Sequence, residues 1–449
     1  MSLSPQQSRY GPPLVIRGGT LLRMEAGHAA VKADLLVQGR QIAAIGSVTA
    51  PADAEIIDAS GCYVMPGLVQ THVHLVQTLF RGLAEDLALL DWLRTRVWPL
   101  EAAHDEGSIR ASVRLGLLEL LLTGTTTVLD MGTTHDGDAV FDELVRSGIR
   151  ALAGQAMMDT GEAVPKDLLE TTRGSLDAAA ALIKRWHGHD AGRIQYAYAP
   201  RFALSCTREL LEAVATLSRI AGHLVHTHTN ENVGEGALVE RATGRAPAAY
   251  LVETGIASDR AVLAHAVHLS ADEIRALASV GAAVAHCPSS NLKLGSGIAD
   301  IVRLRRAGMT VGIGADGAAC NNRLDGFEEM RLAALLARAA HGPDALGALD
   351  VLRMGTIEGA RALRMDAEIG SLTVDKRADI VVLDAARLAP GGDPATRIVF
   401  GGGSRAVRDV IVDGHVLVRD GIPTRTDPTE VRALAGEAVP KLARRAKIG

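Results

Sequence analysis

From about residue 66 to residue 369 the chain alternates eight times between a short apolar run and a longer segment of helical character. No other feature narrows the possible folds as much. The strand-like runs are 67–74, 125–131, 149–157, 193–199, 222–228, 261–265, 281–286 and 309–315. Between them, 108–122, 168–186, 207–221, 271–279 and 324–340 carry apolar residues at helical spacing. Eight strand–helix units in this length predict a (β/α)8 TIM-type barrel. A doubly wound open sheet is the competing α/β architecture. It calls for a glycine-rich dinucleotide turn after its first strand, and Thr71-His72-Val73-His74 stands there instead.

The flanks read as β structure. Short strand-like runs at 13–16, 34–38, 42–45 and 54–58 are punctuated by Gly18-Gly19, Gly39 and Gly46. The same texture returns at 378–383, 407–412 and 415–419. Neither end has strands enough to bury a core alone. Residues 1–65 and 370–449 are therefore expected to build one small β-sandwich domain beside a catalytic barrel of 66–369.

Apolar residues make up 47% of the 449 and aromatics only 3%, so the interior must be built from Ala, Leu, Val and Ile. A net charge of −5 is small for this size and argues against a nucleic-acid surface. The N-terminal MSLSPQQSRYGPP lacks a leader pattern, and no apolar run reaches membrane-spanning length. Cys62, Cys206, Cys287 and Cys320 are scattered and form no CxxC pair. A cytoplasmic chain without disulfides is expected, and its apolar helices permit a homo-oligomer.

Barrel enzymes carry their chemistry at the C-terminal ends of the strands. Strand 1 ends in His72 and His74, whose side chains share one face. Strand 5 ends in His226-Thr227-His228, with Glu231 three residues on. Strands 6 and 7 end in His265 and His286, and strand 8 in Asp316. A single such histidine is ordinarily structural; this many, with one carboxylate, point to a metal site. Three neutral imidazoles and a carboxylate suit one divalent ion, Zn2+ or Fe2+, with a position left for water. Such an ion brings the pKa of water toward neutrality. Glu231, just past its strand, can reach a substrate rather than the ion and serve in proton transfer.

PGLVQTHVH, HTHTNE, LAHAVHL, HCPSSNLKLGSGIA and GADGAACNN resemble the amidohydrolase superfamily. More narrowly they resemble its aminohydrolase branch of adenosine-type, guanine and s-triazine deaminases. The resemblance extends to the closing GSLTVDKRADIVVLD. It implies His72, His74, His228 and Asp316 as metal ligands, Glu231 as proton shuttle and His265 as a group that holds the nucleophilic water. It leaves His286 as a further pocket candidate and His226 as structural. Relatives with two metals resemble one another in a bridging lysine after strand 4. Here Ala199-Pro200-Arg201-Phe202 has none, which implies a single ion.

The loop Arg81-Gly82-Leu83-Ala84-Glu85-Asp86-Leu87 is similar to that of methylthioadenosine and S-adenosylhomocysteine deaminases. There the first acidic residue, here Glu85, binds the ribose hydroxyls, as a carboxylate suits a vicinal diol. Arg201 replaces the histidine those enzymes carry after strand 4. Arg201 with Gln77 resembles the pair by which guanine deaminases grip a carbonyl edge. QTLFRGLAEDL and APRFALSCT are most like 5′-deoxyadenosine deaminases. The expectation is hydrolytic deamination of a small 5′-modified adenine nucleoside. Guanine-type, pterin or s-triazine chemistry, or an inactive scaffold, are the alternatives.

Overall fold

The computed structural model describes residues 11–25, 27 and 29–448. The leader reading for residues 1–10 lies outside them. Eight parallel strands close into a barrel: Leu68–His74, Thr125–Thr133, Arg150–Met157, Ile194–Pro200, Leu224–Thr229, Ala261–His265, Ala283–His286 and Val311–Ile313. Each pairs with its neighbour in sequence, and the last returns to the first through Ile313 and Gln70. A two-residue strand, Asp316–Gly317, adds beside Val73 and His74. The barrel floor is packed with small and branched residues, among them Val69, Leu129, Leu152, Ala197, Val262, Ala264 and Ala285. This is the outcome expected of a chain so poor in aromatics.

The helices start where side chains can take up free backbone N–H groups. Asp105, Thr207 and Ser270 cap Glu106–Leu122, Arg208–Ala221 and Ala271–Val280. The helix expected over 168–186 begins only at Thr172, because the Thr171 hydroxyl accepts from Gly174 N and sets the start there. Upstream of it Lys166–Leu168 make a separate turn.

Strands from both chain ends pair into one nine-stranded mixed sheet. The sandwich expected from the sequence is thus built from a continuous sheet around its own apolar core of Leu14, Ile16, Leu35, Ile42, Val64, Ile380, Val382 and Ile411. Its two halves meet where Cys62–Pro66 runs antiparallel to Ile380–Asp384, with Tyr63 opposite Leu383. Sequence reasoning overlooked Cys62–Pro66, since a strand buried on both faces shows no alternation. It also passed over the C-terminal helix Pro428–Arg445, which packs on Glu106–Leu122 and carries Pro440 in its interior.

Buried ions tie this sheet to the barrel. Arg150, at the start of the third barrel strand, holds Asp379 through two bonds of 2.7 and 3.0 Å and Asp413 through one of 2.7 Å. Arg40 reaches the other oxygen of Asp413 at 2.9 Å. All four cysteines are buried and free. Among the described residues no helix is long and apolar enough to cross a membrane.

Candidate active site

At the C-terminal mouth of the barrel the ends of strands 1, 5, 6 and 8 converge. His72 Nε2 lies 3.2 Å from Asp316 Oδ1, and His74 Nε2 lies 3.5 Å from the same oxygen. His74 Nε2 and His228 Nε2 are 3.1 Å apart. Burial pushes His72 below the ordinary imidazole range, and His74 and His228 well below it. Burial also works on Asp316, in the upward direction, but His72, His265 and His74 outweigh it and hold the carboxyl well below its usual range.

Neutral imidazoles and one carboxylate are the ligand chemistry of a divalent cation. The proton positions agree. His228 Nδ1–H donates to the Arg201 carbonyl at 2.6 Å, which leaves Nε2 as a lone pair. His72 Nε2 is buried without a hydrogen-bond partner. His74 Nε2 faces the His228 lone pair at 3.1 Å, and an ion between the two nitrogens would draw on both rings. Donor atoms 3.1 to 3.5 Å apart also match ligands around an ion bonded at about 2.0–2.1 Å. The residues present therefore fit a single metal ion held by His72, His74, His228 and Asp316.

Second contacts orient these ligands. His226, taken from the sequence as structural, has its Nε2 2.6 Å from His72 Nδ1 and orients that ring. Ser290 Oγ donates to Asp316 Oδ2 at 2.6 Å, and Gly317 N donates to Oδ1 at 2.7 Å. Gly314 lacks the Cβ that would stand 2.9 Å from His72 Cβ, so strand 8 can lie close against that ring. Asn230, His265 and Asp316 hold left-handed backbones with φ of 49°, 74° and 60°. Three such non-glycine residues at one mouth mark a place where strain is tolerated for side-chain aim.

Glu231 Oε2 lies 3.5 Å from His265 Nε2, and Asp316 Oδ2 lies 3.8 Å from the same nitrogen. Burial, then the negative charges of Asp316 and Glu235, raise Glu231 well above the ordinary carboxyl range. His265 Nδ1 faces Asn291 Oδ1 at 2.9 Å, which fixes Nδ1 as the donor and turns Nε2 inward as an acceptor.

A cavity opens onto this cluster. It is lined by His74, His228, Glu231, His265 and Asp316 and by Gln77, Arg201 and Glu235, with Leu89, Trp92, Leu93 and Phe202 as its apolar wall. Of the expected substrate-binding residues, two lie off that lining. Glu85 is partly exposed and is held by Lys293 at 2.7 Å, Asn322 at 3.1 Å and Gly82 N at 3.2 Å. His286 is buried at the end of its strand, and burial lowers it to about 3.

Sequence reasoning missed two acids. Glu235 accepts from the backbone N–H groups of Glu231 and Asn232 at 2.8 and 3.4 Å. Its signal was legible as the capping box Asn232-x-x-Glu235. Glu101 had no signal. It sits in a helical stretch, yet its carboxylate pairs with Arg201 at 2.5 and 3.1 Å and accepts from Gln77 Nε2 at 2.9 Å.

The amidohydrolase family model matches residues 63–417. This chain belongs to the amidohydrolase family. The match runs from the seam of the mixed sheet through the whole barrel and back into the sheet, so it includes every residue of the cluster described above. A 5′-deoxyadenosine deaminase of Methanothermobacter thermautotrophicus is 38% identical over 415 residues, covering 92% of this chain and 95% of that protein. A 5-methylthioadenosine/S-adenosylhomocysteine deaminase of Symbiobacterium thermophilum is 38% identical over 441 residues, covering 96% and 99%. Among solved structures this amidohydrolase is similar to an adenosine deaminase of Xanthomonas campestris with bound zinc. That match has a TM-score of 0.89 and 31% identity, and covers 97% of this chain and 99% of the other.

Proposed function

We propose that this amidohydrolase is a hydrolytic deaminase that replaces the exocyclic amine of a 5′-modified adenine nucleoside with a carbonyl and releases ammonia. The observation that carries the reaction type is Glu231. It is a buried acid, raised well above its usual range, beside a cluster of three imidazoles and a carboxylate. The nucleoside class rests on the similarity to deaminases of 5′-deoxyadenosine and methylthioadenosine over nearly the whole chain.

A divalent ion held by His72, His74, His228 and Asp316, zinc on the present reading, supplies Lewis-acid activation of water near neutral pH. The chain supplies the rest. His265, with Nε2 turned inward between Glu231 and Asp316, holds the attacking water by accepting one of its protons in a hydrogen bond. Attack falls on the amine-bearing ring carbon. Glu231 takes one proton from the attacking water and gives it to the adjacent ring nitrogen; as the carbonyl forms it takes the water's second proton and delivers it to the departing amine. One water is consumed and one ammonia leaves. Leu89, Trp92, Leu93 and Phe202 keep bulk water from the ring.

Glu85 has the sugar hydroxyls as its proposed partners. Slight burial opposes its charge, but Lys293 and Asn322 outweigh that and keep the carboxylate ionised and fixed. A guanine-type reading has one observation in its favour, the placement of Arg201 and Gln77 on the same cavity wall.

The test is ammonia release from 5′-deoxyadenosine, methylthioadenosine, S-adenosylhomocysteine, adenosine and guanine with the metal-loaded protein. Turnover of the 5′-modified nucleosides is expected. Turnover of guanine alone would replace this reading with the second one.

A further inference from the structure

We infer that Glu101 is the positioning residue that makes this pocket read an amine rather than a carbonyl. The inference rests on the deaminase reading above and adds how substrate is told from product. Arg201 and Gln77 are the two side chains on the cavity wall best able to donate to a substrate carbonyl. Both are already engaged. Arg201 gives its two terminal nitrogens to the two oxygens of Glu101, at 2.5 and 3.1 Å, in a pair whose side chains are only 4% and 8% exposed. A guanidinium held in this way has its end-on fork closed to a base edge.

Gln77 is turned by the same acid. A carboxylate paired with arginine only accepts, so the amide nitrogen must be the atom 2.9 Å from Glu101 Oε1. That fixes the amide sense and makes Gln77 Oε1 the remaining group. This oxygen is buried without a hydrogen-bond partner. Gly317, next to Asp316, leaves the room it needs, since a Cβ there would fall 2.2 Å from it. A buried, unpaired acceptor on a binding cavity calls for a donor from the ligand. The exocyclic amine carries the N–H groups of an adenine ring, and the inosine-type product has a carbonyl at that position. Glu101 thus sets Gln77 to welcome the substrate amine and withholds the end-on fork of Arg201 from the product oxygen.

The experiment compares wild type with Glu101→Gln, metal-loaded, measuring KM and kcat for 5′-deoxyadenosine and Ki for 5′-deoxyinosine. A neutral amide frees the Arg201 fork and no longer dictates the sense of Gln77. The ratio KM/Ki is expected to rise about tenfold or more, the scale of one hydrogen bond gained or lost, with the smaller change in kcat. A structural role alone would lower the active fraction and leave that ratio where it was. Gln77→Met is the second variant should the first fail to fold. It removes the acceptor and is expected to raise the same ratio. An unchanged ratio in a folded variant overturns the inference. Wild-type protein that leaves 5′-deoxyadenosine, methylthioadenosine, S-adenosylhomocysteine and adenosine all untouched overturns the deaminase reading, and the inference with it.

Discussion

Glu231 illustrates how one side chain takes its role from its surroundings. In the sequence it is an acid in a loop; in the fold burial and the charges of Asp316 and Glu235 raise it well above the ordinary carboxyl range, which suits the proton transfer proposed for it. Glu231→Gln keeps the shape and hydrogen bonding but cannot shuttle a proton. It is expected to retain its metal and lose about 10²–10⁴ in kcat. Metal analysis beside single-turnover kinetics checks this, and a metal-replete variant near wild-type rate would remove Glu231 from the role. Glu329 makes the complementary case. It lies outside the ligand set, yet it accepts from Ser289 N at 3.0 Å and Asn321 Nδ2 at 2.9 Å. Those bonds pin the segments carrying Ser290 and Asn291, the partners of Asp316 and His265. Glu329→Ala should lower metal affinity by about 10- to 100-fold, as loss of outer hydrogen bonds does. Competition with a chelator measures it.

At the scale of elements, the turn after the first strand, Leu75–Phe80, depends on the helix that follows it in space. Ser112 donates to the Leu75 and Val76 carbonyls at 2.9 and 2.8 Å. His104 lies 2.9 Å from the Val76 carbonyl and stacks on Phe80 at 5.3 Å. Burial lowers His104 to about 4. Its folded pKa is below the unfolded value of 6.5, so the unfolded chain binds more protons between these limits. Stability from this residue is present above pH 6.5 and is lost as pH falls toward 4. Between pH 6.5 and about pH 5 the loss is on the order of 2 kcal/mol. Thermal melts of wild type and His104→Gln across that interval check it. The variant should be less stable at neutral pH and show a shallower acid slope.

For the whole molecule the decisive contact is the ionic seam between barrel and mixed sheet. Arg150 neutralises Asp379 and Asp413 at a buried place remote from the mouth. Arg150→Met would leave the buried Asp379 without its arginine and Asp413 to Arg40 and Arg377, and is expected to cost about 3–5 kcal/mol. Denaturant unfolding measures the loss, while kcat/KM per folded molecule should stay unchanged because the cavity lies at the other end of the strands.

The sequence by itself determined the barrel, its eight strands and the residues at their ends, because strand and helix periodicity and the placement of polar groups at strand C-termini are local patterns. His72, His74, His228, Glu231, His265 and Asp316 were legible for that reason, and the structure brings all six to one mouth. The capping box of Glu235 was equally local, though overlooked. Glu101, 100 residues before Arg201, carried no such mark, and neither did the 229 residues of chain between Arg150 and Asp379. Those pairings depend on which loops and strands closure of the barrel sets side by side. Tertiary structure alone decided that Arg201 and Gln77 are engaged by an acid, that Glu85 is clamped by Lys293 and Asn322 off the cavity wall, and that His226 bonds His72 Nδ1. Burial is a property of the packed whole, and it is burial that turns ordinary carboxylates and imidazoles into a site.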